Sequence, residues 1–133
     1  MKTLLVTGAS RGVGLEICKQ AGAAGHRVIA LSRNITPLKG MQNIHPFAVD
    51  LSIGSALVDF VEEIKTSFRS IDVLINNAGS LINKPFLEIS SSEFEKVYKV
   101  NVFAVATLTR LLLPMINTDG HVLNITSMGG VQG

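Results

Sequence analysis

One cysteine, one tyrosine, no tryptophan and 5% aromatic residues stand out in a chain of 133 residues. A lone Cys18 makes neither an intrachain disulfide nor a cysteine-based metal cage, so nothing here points to an oxidising compartment. Charge is equally sparse. Twelve basic against ten acidic side chains give a formal net charge of +2, too small and too dispersed for the electrostatic footprint of a nucleic-acid binder. No run of about 18 uninterrupted apolar residues exists to span a bilayer. The stretch Met1–Val6 is too short for a secretory apolar region, which leaves a cytoplasmic protein as the expectation. His26, His45 and His121 lack metal-ligand spacing, and no metal is expected. Repeats and low-complexity linkers are missing too.

What is present is 47% apolar content and a mean hydropathy of +0.38, enough for one domain with a core. Short runs rich in Val, Ile and Leu alternate with longer helical patterns. The runs Leu4 to Val6, Val28 to Leu31, Pro46 to Val49, Val73 to Ile75 and Val122 to Ile125 lack strict polar alternation. Such runs suit parallel strands buried on both faces. Val13, Ile17, Ala21 and Ala24 form a helical stripe closing at Gly25, a plausible cap. Leu57, Phe60, Val61, Ile64 and Phe68 mark one face of a second helix. A third pattern, Phe94, Val97, Tyr98, Asn101, Val105, Leu108 and Leu112, follows Ser92 with Glu95 three residues on, which reads as a capping box. The stretch 34–43 is too broken by Pro37 and Gly40 for a full helix. The order predicts an α/β fold: a doubly wound parallel sheet of about five strands with right-handed crossovers. Ligands of such sheets bind beyond the carboxyl ends of the strands, where strand order reverses.

Directly after the first strand comes Thr7-Gly8-Ala9-Ser10-Arg11-Gly12-Val13-Gly14. Gly8 permits a tight turn, Gly12 admits a pyrophosphate to the backbone, and Gly14 allows close helix packing. Free N–H groups and about half a positive charge at the helix start favour an anion. Leu15-Glu16 stand where a Walker A loop needs Lys and Ser or Thr, so that reading fails. The second strand ends in Leu31-Ser32-Arg33 with no acid to accept from ribose hydroxyls, while Arg33 and Arg11 both offer donors to a 2′-phosphate. NADP(H) is therefore expected over NAD(H).

With Thr-Gly-x-x-x-Gly-x-Gly, then Asp50-Leu51, Asn76-Asn77-Ala78-Gly79, Asn101 and Asn124-Ile125-Thr126-Ser127 in order, the chain resembles the short-chain dehydrogenase/reductase family throughout. The resemblance implies hydride transfer between nicotinamide and a small carbonyl or alcohol substrate. It implies cofactor contacts from Gly8, Ser10, Arg11, Gly12, Val13, Gly14, Ser32, Arg33, Asp50, Leu51, Asn77, Ala78 and Gly79. Asp50 would take the adenine amino group, the Leu51 backbone would assist, and the turn of Asn77, Ala78 and Gly79 would lie by the ribose. A helix N-cap is the plainer role for Asp50, and the two are compatible. Asn101 would hold a water in a proton relay, or brace a helix distortion. Ser127 would polarise the substrate oxygen; Thr126 should point to the other face.

The family's proton donor is a tyrosine in Tyr-x-x-x-Lys. Tyr98 has Val102 four residues on and lies on the apolar stripe, which implies core packing. The expectation is thus a single dinucleotide-binding domain over 1–133, truncated after the fifth strand of a longer NADP-dependent enzyme. A short non-catalytic NADP(H)-binding or regulatory module is the alternative, and a structural partner without cofactor a third. Val100, Val102 and Phe103 suggest packing against a second subunit, as in a homo-oligomer, or against a complementary C-terminal segment.

Overall fold

The computed structural model describes residues 1–127; the loop expected over 128–133 lies outside the described residues. Five strands, β1 (Thr3–Thr7), β2 (Arg27–Ser32), β3 (Ile44–Ala48), β4 (Ile71–Asn76) and β5 (Ile116–Asn124), form one sheet in the order β3-β2-β1-β4-β5. Every pairing is parallel. The chain winds outward from β1 to β3 and then returns to place β4 on the other side of β1. Strand order therefore reverses between β1 and β4, the crevice where such sheets bind ligands.

Helices α1 (Gly12–Ala23), α2 (Gly54–Ser67), α3 (Ser91–Tyr98) and α4 (Ala104–Leu112) supply the covering layers. In the central strands successive side chains divide between the two faces. Leu5, Ile29, Leu31 and Leu74 join α2 and α4 in one core, while Val6, Val28, Ala30 and Ile75 meet α1 and Leu38 in the other. Each fully buried Leu, Ile or Val stabilises the fold by about 1.5–3 kcal/mol relative to exposure. The predicted two-faced burial holds for β1, β2 and β4. It does not hold for β5, at the sheet edge among the described residues, where Val122, Leu123 and the following Ile125 are 38–51% exposed. Pro46 sits on the opposite edge strand, β3, where a missing N–H is tolerated.

The α2 stripe is buried as its spacing predicts. Around α1 the expectation needs correcting. Its buried line is Gly14, Cys18 and Gly22, and Val13 is 60% exposed. Close approach is the reason: a Cβ on Gly22 would stand 2.6 Å from the Gln42 carbonyl oxygen. Gly25 follows the helix at φ +87°, a left-handed position that suits glycine. Burial pushes the Cys18 thiol up to about 11, as for an inert core residue.

The third pattern departs further. Its capping box is Ser90 with Glu93, two residues earlier than predicted: Ser90 Oγ accepts from Glu93 N–H, and Glu93 Oε1 accepts from Ser90 N–H. Lys84 Nζ, 2.8 Å from Glu93 Oε2, gives this box an ion pair as well. A π-turn over Lys99–Phe103 then inserts an extra residue, and one residue rotates the face by about 100°. So Ala104, Leu108 and Leu112 are buried while α3 buries nothing. Tyr98 is 52% exposed, its ring 6.5 Å from that of Phe103, so it is not a core residue. From Ser91 to Met115 the helix is continuous for 25 residues and has the length and composition of a bilayer span. Packing of its second half on α2, and Glu93, Glu95, Lys96, Lys99 and Arg110 along it, make it a face of the fold.

Candidate functional site

At the carboxyl ends of β1, β2 and β4 lies a cavity of about 820 Å³, within the range of cofactor and small-ligand sites. The turn after β1 forms its floor. Gly8 has φ +63°, and a Cβ there would meet the Ala78 Cα at 2.8 Å. A Cβ on Gly14 would stand 2.2 Å from the Gly8 carbonyl oxygen, so this glycine permits contact between helix and loop rather than with the sheet alone. Gly12, at φ +56°, has open space around it and is needed for its backbone conformation.

The β1 and β4 ends are stitched together. Thr7 Oγ1 accepts from the N–H groups of Asn77 at 3.1 Å and Ala78 at 3.0 Å. In return, Asn77 Nδ2 donates to the carbonyls of Thr7 at 3.1 Å and Gly8 at 3.2 Å. Asn76 is 5% exposed and donates to Asn124 Oδ1 and Thr109 Oγ1, tying β4 to β5 and α4. Arg11 precedes α1 without a side-chain cap, so the first-turn N–H groups lack that partner, as an anion site requires.

Gly8, Ser10, Arg11, Ser32, Arg33, Asp50, Leu51, Ala78 and Gly79 all line the cavity. Of the remaining expected contacts, Gly12, Val13 and Gly14 lie in the loop and first turn, and Asn77 acts as the stitch behind the wall. No acidic side chain stands at the β2 end. Asp50 accepts on Oδ1 from Ser52 N–H at 2.9 Å and Ser52 Oγ at 2.7 Å. It therefore closes the turn before α2; the N-cap position belongs to Ile53. Those two bonds hold its carboxyl below the usual range, with smaller help from the charges of Arg33 and Lys96.

Asn101 sits inside the π-turn and is exposed rather than buried on the stripe. Its Oδ1 accepts from Ser80 N–H at 2.7 Å and its Nδ2 donates to the Ser80 carbonyl at 2.9 Å. The amide thus braces the distorted helix against the loop after β4, one of the two expected roles. Ser127 follows β5, exposed, and is not among the residues lining the cavity. Sequence reasoning missed Thr7, whose hydroxyl makes the stitch, and Lys96 and Val100, which close the cavity from the helical side. Their four-residue spacing on one helix was the available signal.

The chain is 36% identical to the ketoacyl reductase HetN of Nostoc sp., an alignment covering 99% of this chain and 50% of that protein. A metagenomic short-chain oxidoreductase solved with NADP superposes with a TM-score of 0.87 and 30% identity, over 97% of this chain and 63% of that one. 4-Hydroxyisoleucine dehydrogenase complexed with NADH gives a TM-score of 0.89 and 29% identity, over 98% and 58%. The chain spans about half the length of the relatives it matches. The short chain dehydrogenase family model matches residues 2–133, and the cavity, the glycine turn and the strand order all lie within them. The chain belongs to the short-chain dehydrogenase family.

Proposed function

We propose that residues 1–133 form a single dinucleotide-binding unit, the cofactor half of an NADP(H)-dependent carbonyl reductase or alcohol dehydrogenase. The observation that carries the cofactor choice is the joint presence of Arg11 and Arg33 on the cavity wall, with Ser32 where an NAD site places an acid. The cavity fits the group: Gly8 packs bare against Ala78 and Gly14 against the Gly8 carbonyl, which brings the loop backbone close under the start of α1, and Gly12 has open space where a Cβ would stand. Bound there, the nicotinamide would supply or accept the hydride. Arg11 and Arg33 would take the 2′-phosphate, and the first-turn N–H groups of α1 the pyrophosphate. The Asp50 carboxylate would accept from the base amino group, with the Leu51 backbone assisting, while Asn77, Ala78 and Gly79 hold the ribose side.

In this reading Ser127 donates its hydroxyl proton in a hydrogen bond to the substrate oxygen and polarises it, and Asn101 holds a relay water beside the loop it braces. The general acid lies on none of these residues. Tyr98 is exposed and has no lysine one turn on, so the proton comes from a downstream Tyr-x-x-x-Lys or a complementary segment. Val102 and Phe103, 47% and 59% exposed, are available to such a segment or to a second subunit. A cytoplasmic setting fits the single, buried cysteine.

Reductase assays of the protein encoded by the full reading frame, with NADPH and a panel of carbonyl compounds, test this. Turnover is expected, with Ser127→Ala lowering kcat by about 10²-fold or more at unchanged NADPH affinity. No NADPH consumption with any carbonyl, or an S127A enzyme as fast as its parent, would overturn it.

A further inference from the structure

The cavity takes a third cation from the helical side. Lys96, on α3, lines it together with Val100 one helical turn later, and Arg11 and Arg33 line it from the loops after β1 and β2. Asp50 is the only acidic side chain among the described lining residues. Three cations against one anion exceed what Asp50 needs, since two hydrogen bonds from Ser52 already satisfy one of its oxygens. The surplus suits a ligand bearing more negative charge than a pyrophosphate alone.

We propose that Lys96 is a specificity-determining residue of this site, donating from its ammonium to the 2′-phosphate of the dinucleotide alongside Arg33. This rests on the NADP(H) reading above and adds a residue to it. Arg33 and Lys96 line the same cavity as Asp50, so both charges are available to one anionic group bound there. Ser32, Arg33 and Asn34 of the β2 loop bound that cavity too, where the absence of an acid leaves room for the phosphate. An ammonium on a flexible stem carried by a helix can follow a mobile phosphate without the fixed geometry of a guanidinium. Lys96 lies on α3 one turn before Val100, which belongs to the π-turn and lines the same cavity, while Phe94 and Tyr98 of α3 are largely exposed.

Dissociation constants for NADPH and NADH, measured by titration calorimetry on the parent protein, Lys96→Met and Lys96→Arg, decide the matter. K96M is expected to weaken NADPH by about three- to tenfold and NADH by less than about twofold, while K96R restores most of the loss. The effect on NADPH should shrink as salt rises, since the group is exposed. Equal weakening of both dinucleotides would overturn the proposal and make Lys96 a wall of the base pocket; an unchanged NADPH constant would overturn it outright. A parent protein without preference for NADPH would instead refute the cofactor reading itself. Circular dichroism of K96M guards against a folding defect, and the NADPH-to-NADH ratio is insensitive to a mere loss of folded protein.

Discussion

Around Gly8 and Asn77 the chain is held from both sides, whereas Asn101 and Ser127 stand on exposed ground at the far side of β4. At the first place, two strand ends share four hydrogen bonds within 3.2 Å, and Gly8 and Gly14 stand where a methyl group would collide with backbone. At the second, one amide braces a π-turn, α3 buries no residue, and β5 lies at the sheet edge among the described residues. Binding a dinucleotide needs a preorganised backbone, and the described residues supply it almost entirely. Moving a proton needs a positioned acid next to the substrate, and under the proposed function the described residues would supply only the Ser127 hydroxyl.

Gly14→Ala should break the held region hardest. Its Cβ would stand 2.2 Å from a carbonyl oxygen, so the helix must shift, at a cost of about 3 kcal/mol or more. Thermal melting should fall and NADPH binding should vanish, while Gly12→Ala, with open space and only a positive φ to pay for, should lose about 1–2 kcal/mol. Thr7→Val comes next. It leaves the N–H groups of Asn77 and Ala78 without their acceptor, at about 1–3 kcal/mol in denaturant unfolding, and should weaken both dinucleotides alike. Arg33→Glu should leave the melting point near that of the parent yet weaken NADPH by about tenfold or more, with NADH much less affected. If it weakened both equally, the held region would carry its selectivity elsewhere.

The smallest effect should lie in the exposed region. Hydrogen bonds with Lys84 and Ser90 depress the Glu93 carboxyl from 4.5 to about 2. Its folded value is thus below its unfolded one, so its contribution is present above about pH 4.5 and is lost as pH falls toward 2. Amide exchange at the start of α3 should speed up over that window in the parent, and Glu93→Gln should be fast already at neutral pH with little change in global melting. Protection in E93Q equal to that of the parent would show that α3 does not depend on its cap.

The same contrast governs what could be read from the residues alone. The order of elements along the chain, the glycine turn and the α2 stripe were legible because each follows from local chemistry: apolar runs, special backbone angles, a period near 3.6. Nine expected cofactor contacts lie on one cavity for that reason. The helix from Ser91 was misread in phase because a π-turn leaves no periodic signature, and its cap because Ser90-x-x-Glu93 and Ser92-x-x-Glu95 satisfy one pattern equally. Only the tertiary partner Lys84 separates them. The α1 face was misplaced because a helix pressed against a loop buries its smallest side chains, which carry no hydrophobic signal. Thr7 escaped notice because its hydroxyl serves residues some seventy positions away.

The most direct test is the ratio of the NADH to the NADPH dissociation constant for the parent protein, measured side by side at one ionic strength. With Arg11, Arg33 and no acid around the 2′ position, a ratio of about ten or more is expected. A ratio of one or below, or no binding of either dinucleotide, would contradict the assignment of this cavity to NADP(H).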